Sequence, residues 1–222
     1  MLRATRAPTG LPLPTLRRRG SGLVGHRGGR HRDAYPNNGP VLSHPQAKSC
    51  QDIGIPEGGS DSAPVAIVEF TDLECPACRG FQRTVSDILH ERPSDVRVVY
   101  VPHPLSYHRF ALGAAQGAEC AADVDALGKW LDVVFSKQDS LGLKSWGAYA
   151  AEAGIRDTAR IAECAKRRVA GPRIDSGLAL GARFGLGGTP GVLVNGWLFP
   201  APPTRSQLDA AIDDLLAGRQ PR

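Results

Sequence analysis

The chain has 222 residues, 41% of them hydrophobic and 22% charged, with 26 Gly, 18 Pro and 5 Cys. That length suits one domain plus a tail. The apolar fraction is that of a globular protein, no apolar run reaches the about 18 residues of a membrane-spanning helix, and five cysteines are too few for a disulfide-built miniprotein. The net charge of +5 is uneven: residues 1–50 hold eight Arg and Lys48 against Asp33, a local +8, leaving −3 for residues 51–222. The basic balance belongs to the tail, so no nucleic-acid partner is expected for the remainder.

Residues 1–50 combine Pro8, Pro12, Pro14, Pro36, Pro40 and Pro45 with many Gly and Arg. No period of 2 or 3.6 survives there. The segment cannot bury enough surface to offset its ordering entropy and reads as a disordered, basic tail. A signal peptide would need an apolar core of about 7–15 residues, which the stretch after Arg3 and Arg6 lacks. An Arg-rich transit peptide, or an arm for nucleic acid or anionic surfaces centred on Arg17, Arg18 and Arg19, are the other readings.

From residue 51 the pattern turns globular. Val65–Phe70 (VAIVEF) reads as a buried strand. Phe81, Val85, Ile88 and Leu89 fall on one face of a helix that Pro93 ends. Val96–Val101 (VRVVYV) is a second strand, so the three form a βαβ unit with parallel strands and a right-handed crossover. Short helical pieces follow, marked by Phe110–Ala118, Trp130–Phe135, Trp146–Ala150, Ile161–Ala165 and a stretch running from Gly171-Pro172 towards Phe184. Val192–Val194 and Trp197–Phe199 flank Asn195-Gly196, a type I′ hairpin signal. Thr204 and Gln207 form a capping box for a last helix through Leu208, Ile212, Leu215 and Leu216, with Gly218 at its C′ position. The order β-α-β, helical block, β-β-α is that of an α/β thioredoxin fold. It places the domain at 51–220 and a helical insertion at about 106–184.

Cys75-Pro76-Ala77-Cys78 sits where the first of these strands meets its helix. Thiols two residues apart at a helix start can close a disulfide within one turn. Cys75 near the N-cap faces free backbone N–H groups and the positive end of the dipole, which favour thiolate over thiol. Pro76 suits the first helical position, where no N–H is needed. Cys75 is therefore the attacking thiol, and Cys78, less exposed in the first turn, is the resolving thiol. The competing reading is half of a zinc site. Cys50, Cys120 and Cys164 form no second CxxC, and His103 and His108 are only loosely spaced as ligands. No metal is expected.

The segment APVAIVEFTDLECPACRGFQ resembles the active-site region of DsbA-type thiol–disulfide oxidoreductases of the thioredoxin superfamily. The likeness continues through VPHPL at 101–105, an alanine-rich helical insertion and GLGGTPGVLVNG at 185–196, covering roughly residues 52–217. It implies a cis-proline at Pro190, with Thr189 before it, facing the dithiol. Thr189 and Pro190, together with Pro76 and Ala77, would contact an extended substrate. It implies that Glu69 is an acid beneath the disulfide, able to exchange protons with Cys78. It also implies a structural disulfide joining Cys120 and Cys164. Ala77 departs from strongly oxidising relatives, which carry a histidine there, and points to a less oxidising pair.

The resemblance implies a disulfide oxidase or isomerase acting on cysteine-containing proteins. It would need no cofactor beyond the Cys75–Cys78 couple, only a redox partner that resets it. A reductase, or a non-catalytic binding module or holdase on the same fold, are the alternatives. With no preceding domain, a monomer is expected. The family implies an extracytoplasmic site, in the periplasm or cell envelope. No export leader is visible, so three readings stand: a different start, unusual export, or a cytoplasmic protein. Cys50 reads as a free thiol, Asp72 and Glu74 as exposed acids, the histidines as surface residues, and the tryptophans as core.

Overall fold

The structure, a computed structural model, describes residues 54–221; the tail at 1–50, with Cys50, lies outside them. Five strands form one mixed sheet in the order β1-β3-β2-β4-β5. They are β1 (Ile55–Gly59), β2 (Val65–Thr71), β3 (Val96–Pro102), β4 (Gly191–Val194) and β5 (Trp197–Leu198). β2 and β3 run parallel, joined across helix α1 (Pro76–Glu91), and every other pair is antiparallel. Five helices separate β3 from β4: α2 (Ala111–Ala122), α3 (Leu127–Ser136), α4 (Trp146–Glu152), α5 (Thr158–Ala165) and α6 (Pro172–Arg183). A short 3₁₀ turn, Gln138–Ser140, links α3 to α4, and α7 (Arg205–Leu216) closes the chain. None of these helices is long and apolar enough to cross a membrane.

β2 is buried along its whole length, which is why VAIVEF shows no alternation. Its two faces serve different layers. Val65 and Ile67 pack with Phe81, Val85 and Ile88 of α1 and Leu208 and Ile212 of α7. Val68 and Phe70 pack with Val99, Val101 and Phe184 on the α6 side. The insertion has its own core around Trp130, Leu131, Val134, Phe135 and Tyr149, and that core continues into Ile55, Leu73, Cys75, Cys78 and Tyr100. Cys75 and Cys78 therefore lie at the seam between sheet and insertion.

β1 is an element that the pattern IPEGG hides. Pro56, Gly58 and Gly59 lower its strand propensity, yet it pairs antiparallel with β3 at the sheet edge, where a proline is tolerated. Its register shifts between Pro56 and Gly58, a bulge at Glu57. Asn195 and Gly196 both take positive φ, as the I′ hairpin requires. α1 runs to Glu91, with Arg92 at its C-cap directly before Pro93. The Thr204–Gln207 capping box is complete at the start of α7.

Candidate active site

Cys75 is the N-cap of α1, in an extended conformation, with Pro76 following it and no side-chain cap in place. The first N–H groups of the helix therefore remain directed at the Cys75 sulfur. Cys75 is 8% exposed and Cys78 is fully buried, while Pro76 and Ala77 between them are exposed. Both sulfurs are free thiols here. The Thr189–Pro190 peptide bond is cis, and the Thr189 carbonyl oxygen lies 3.4 Å from the Cys75 sulfur, within reach of its proton when Cys75 is a thiol.

This environment separates the two thiols. Cys75 is pulled down from 9.0 to about 5, chiefly by a hydrogen bond from the Cys78 side chain. The Thr189 hydroxyl and the N–H groups of Cys78 and Ala77 add to this, against the opposing effect of burial. Cys78 moves the other way: burial, its hydrogen bond to Cys75 and the charge of Glu69 push it well up. One sulfur is a thiolate at neutral pH and the other holds its proton tightly.

Glu69 is 1% exposed on β2, and neither of its carboxyl oxygens has a hydrogen-bond partner. Burial first, then the charge of Glu57, raise it to about 8. It lies on the α1 side of the sheet, close enough to Cys78 for its charge to act on that thiol.

Two acids differ from the sequence expectation. Asp72 is fully buried rather than exposed. It follows β2 directly, and its carboxylate accepts from the Glu74 N–H at 2.8 Å, the Leu105 N–H at 2.8 Å and His108 Nδ1 at 2.7 Å. Those bonds tie the loop before Cys75 to the loop after β3. Glu74 is half-buried and accepts from the Phe110 N–H at 2.5 Å, bracing the start of the insertion. His103 is also buried rather than on the surface, with Nδ1 3.3 Å from the Gly177 carbonyl. Trp130 is core as expected, but Trp146 and Trp197 are only partly buried.

Gln138 went unnoticed in the sequence. It is buried in the 3₁₀ turn, and its Nε2 donates to the carbonyls of Leu73 and Cys75 at 3.0 Å each. The insertion thus holds the active-site loop by its backbone, which no local pattern around a lone glutamine reveals. Cys120 on α2 and Cys164 on α5 are joined in a disulfide away from the dithiol. Among the described residues, no group of three or more His, Cys, Asp or Glu side chains is placed to hold a metal ion.

Comparison with known proteins places this geometry in context. A family model described as thioredoxin matches residues 55–214. The chain is 34% identical over 166 residues to a sodium/proton antiporter, NhaA 3, of Salinispora tropica, covering 74% of this chain and 25% of that protein. It is 37% identical over 84 residues to the probable disulfide bond formation protein D of Bacillus cereus, covering 36% of this chain and 39% of that protein. The chain thus spans a quarter to two fifths of the length of these curated relatives. Among solved structures, oxidised BdbD from Bacillus subtilis superimposes with a TM-score of 0.63 at 21% identity, over 75% of this chain and 95% of that one.

Proposed function

The chain belongs to the thioredoxin family, and from that premise we propose that it is a protein thiol–disulfide oxidoreductase working as a disulfide oxidase or isomerase. The observation that carries this is the unequal dithiol: an N-cap Cys75 held as thiolate, backed by a buried, protonated Cys78 and facing a cis Thr189–Pro190. The name of the Bacillus cereus relative, a disulfide bond formation protein, supports the same reading.

In the oxidising direction, a client thiolate attacks the Cys75 sulfur of the Cys75–Cys78 disulfide. The S–S bond breaks, and its electron pair leaves on Cys78, which takes a proton. A second client thiolate then attacks the client sulfur of the mixed disulfide. The client disulfide forms and Cys75 leaves as thiolate. Two electrons pass from the client to the pair, and a redox partner removes them again. Glu69 is the acid that serves Cys78. The chain around the Thr189 carbonyl and Pro190, with exposed Pro76 and Ala77 opposite, forms the contact for an extended client segment. No bound cofactor is required.

A low Cys75 pKa favours the reduced form over the oxidised one, increasingly so as pH rises from about 5 towards 9. At pH 7 this amounts to roughly 3 kcal/mol, or about 60 mV towards a more oxidising couple. The Cys120–Cys164 disulfide suits an oxidising compartment such as the periplasm or cell envelope.

The test is oxidation of a reduced, cysteine-containing client in graded glutathione buffers. The proposal expects catalysed formation of client disulfides and a midpoint for the pair near about −120 to −200 mV. A midpoint near about −270 mV would make the protein a reductant instead. Client binding with no exchange would leave a binding module.

A further inference from the structure

We propose that Glu57 is the second carboxyl of a buried proton path, joining the Cys78 sulfur through Glu69 to the groove between α1 and α3. The inference rests on the function proposed above and adds to it a positioning residue and a route to solvent.

The path is built by the sheet. In the pairing register Ile55 of β1, Tyr100 of β3 and Glu69 of β2 form one row across three strands. Ile55 and Tyr100 pack in the same buried cluster as Cys78. Glu57 is the extra residue of the bulge, where strict alternation is broken, and its bond to α1 places it on the α1 side of the sheet. Its carboxyl meets α1 there, where Gln82 Nε2 donates to Glu57 Oε1 at 2.6 Å. The other oxygen, Oε2, is buried without a partner, as are both Glu69 oxygens and the Tyr100 hydroxyl. Buried polar groups are nearly always paired. These four oxygens on the α1 face are not tied into a structural hydrogen-bond network and are free to pass a proton.

The groove supplies the exit. It is lined by Gln82 and Arg83 of α1 and by Asp132 and Ser136 of α3. Gln82 thus touches both the Glu57 carboxyl and the groove. The charged and titratable groups acting on Glu57 are Glu69 from β2 and Asp132 from α3. Tyr100 from β3 feels the charge of Glu69 and stays a phenol, raised well above its ordinary value by burial. Arg79 and Arg83 stand at the groove, where Arg79 pairs with Asp139 at 3.0 Å.

Proton affinity rises along this route. Burial first, against the Gln82 hydrogen bond, raises Glu57 to about 7, with the Asp132 charge adding to it. Glu69 stands at about 8 and Cys78 well above it. A proton entering from the groove therefore runs inward downhill when Cys78 leaves as thiolate.

When a disulfide resets the pair, the route runs outward. Cys75 thiolate attacks one sulfur of the incoming disulfide, and the other sulfur leaves as thiolate. Cys78 then gives its proton to the Glu69 carboxylate and attacks the Cys75 sulfur of the mixed disulfide. The Cys75–Cys78 bond forms, and the second incoming sulfur leaves with the electron pair. Glu69 hands the proton to Glu57, and Glu57 releases it to the groove. Two electrons have moved from the pair to the incoming disulfide.

The experiment follows resolution of the mixed disulfide between Cys75 and glutathione, across pH 5 to 9, in the full chain. Glu57→Gln keeps an acceptor for Gln82 and removes the exchangeable proton. It is expected to slow resolution about 10-fold near neutral pH and to change the shape of the pH profile. Cys75 alkylation should keep its pH midpoint, which a general loosening of the site would move. Glu57→Asp should restore part of the rate. The Glu57→Gln/Glu69→Gln pair should be no slower than Glu69→Gln alone, since both lie on one route. Asp132→Asn, on an exposed side chain that cannot unfold the protein, should shift the profile to lower pH. An unchanged profile in both Glu57→Gln and Asp132→Asn, or effects of Glu57 and Glu69 that multiply, overturns the path while leaving the oxidoreductase intact. Absence of any resolution in the parent protein overturns the functional reading and the path with it.

Discussion

In the helical insertion the polar tips of Trp130 and Tyr149 are tied down. Trp130 Nε1 donates to the Ala114 carbonyl at 3.1 Å, and the Tyr149 hydroxyl donates to the Lys137 carbonyl at 3.2 Å. Trp130, Trp146 and Tyr149 pack ring against ring, with centroids 5.6–6.5 Å apart. The α1 face of the sheet is organised the other way. There the Glu69 carboxyl, one Glu57 oxygen and the Tyr100 hydroxyl are buried and unpaired. Each such group costs about 1–3 kcal/mol. The insertion holds the loop before α1 through Gln138, which donates to the Leu73 and Cys75 carbonyls. Stability and reactivity are thus assigned to neighbouring regions of one continuous core.

The largest effect comes from the reactive face. Cys75→Ser should reduce client oxidation to the uncatalysed background, read as the rate of client disulfide formation. Substantial residual turnover would move the nucleophile elsewhere. The insertion answers to a different perturbation. Replacing both Cys120 and Cys164 by Ser frees a loop whose ends are 44 residues apart, at a cost of about 4 kcal/mol. The denaturant midpoint should fall accordingly, while the pH at which Cys75 is half-alkylated should not move. A shift in that pH would mean that the two regions are not separable.

The contrast sharpens with pH. Glu69 is raised from 4.5 to about 8 in the fold, so its contribution is fully present below the unfolded value and is lost as pH rises through the folded one. Glu69→Gln should therefore flatten the decline of thermal stability between pH 5 and 9, and make the protein more stable than the parent at the upper end. An unchanged pH dependence would show that Glu69 is not held protonated by burial. The smallest effect belongs to the link between the regions. Gln138→Ala leaves the Leu73 and Cys75 carbonyls without their donor, and should cost about 1–3 kcal/mol in chemical denaturation.

Much of this arrangement is legible in the sequence because it is locally encoded. VAIVEF and VRVVYV read as buried strands since both faces of β2 and β3 are covered by helices. Cys75-Pro76-Ala77-Cys78 carries its own helix start. Asn195-Gly196 carries its own turn. Thr189-Pro190 and the Cys120–Cys164 pair enter through resemblance to a family, not through spacing. What stays hidden depends on distant parts of the chain. β1 is masked by Pro56, Gly58 and Gly59, and forms because β3 offers it an edge. Asp72 looks like a loop acid, and only the Leu105 N–H and His108, brought over from beyond β3, explain its burial. Glu57 has an ordinary acid's sequence context; its half-buried place follows from the bulge that turns it towards Gln82.

The central claim is that one thiol of the pair is a thiolate at neutral pH and the other a buried acid. Cysteine-resolved alkylation of the reduced protein between pH 3 and 10, read by mass spectrometry, tests it most directly. The account predicts that Cys75 is half-modified near pH 5, and that Cys78 stays unmodified across the range while the fold is intact. A Cys75 midpoint near the ordinary thiol value of 9.0, or equal labelling of both cysteines, would contradict it.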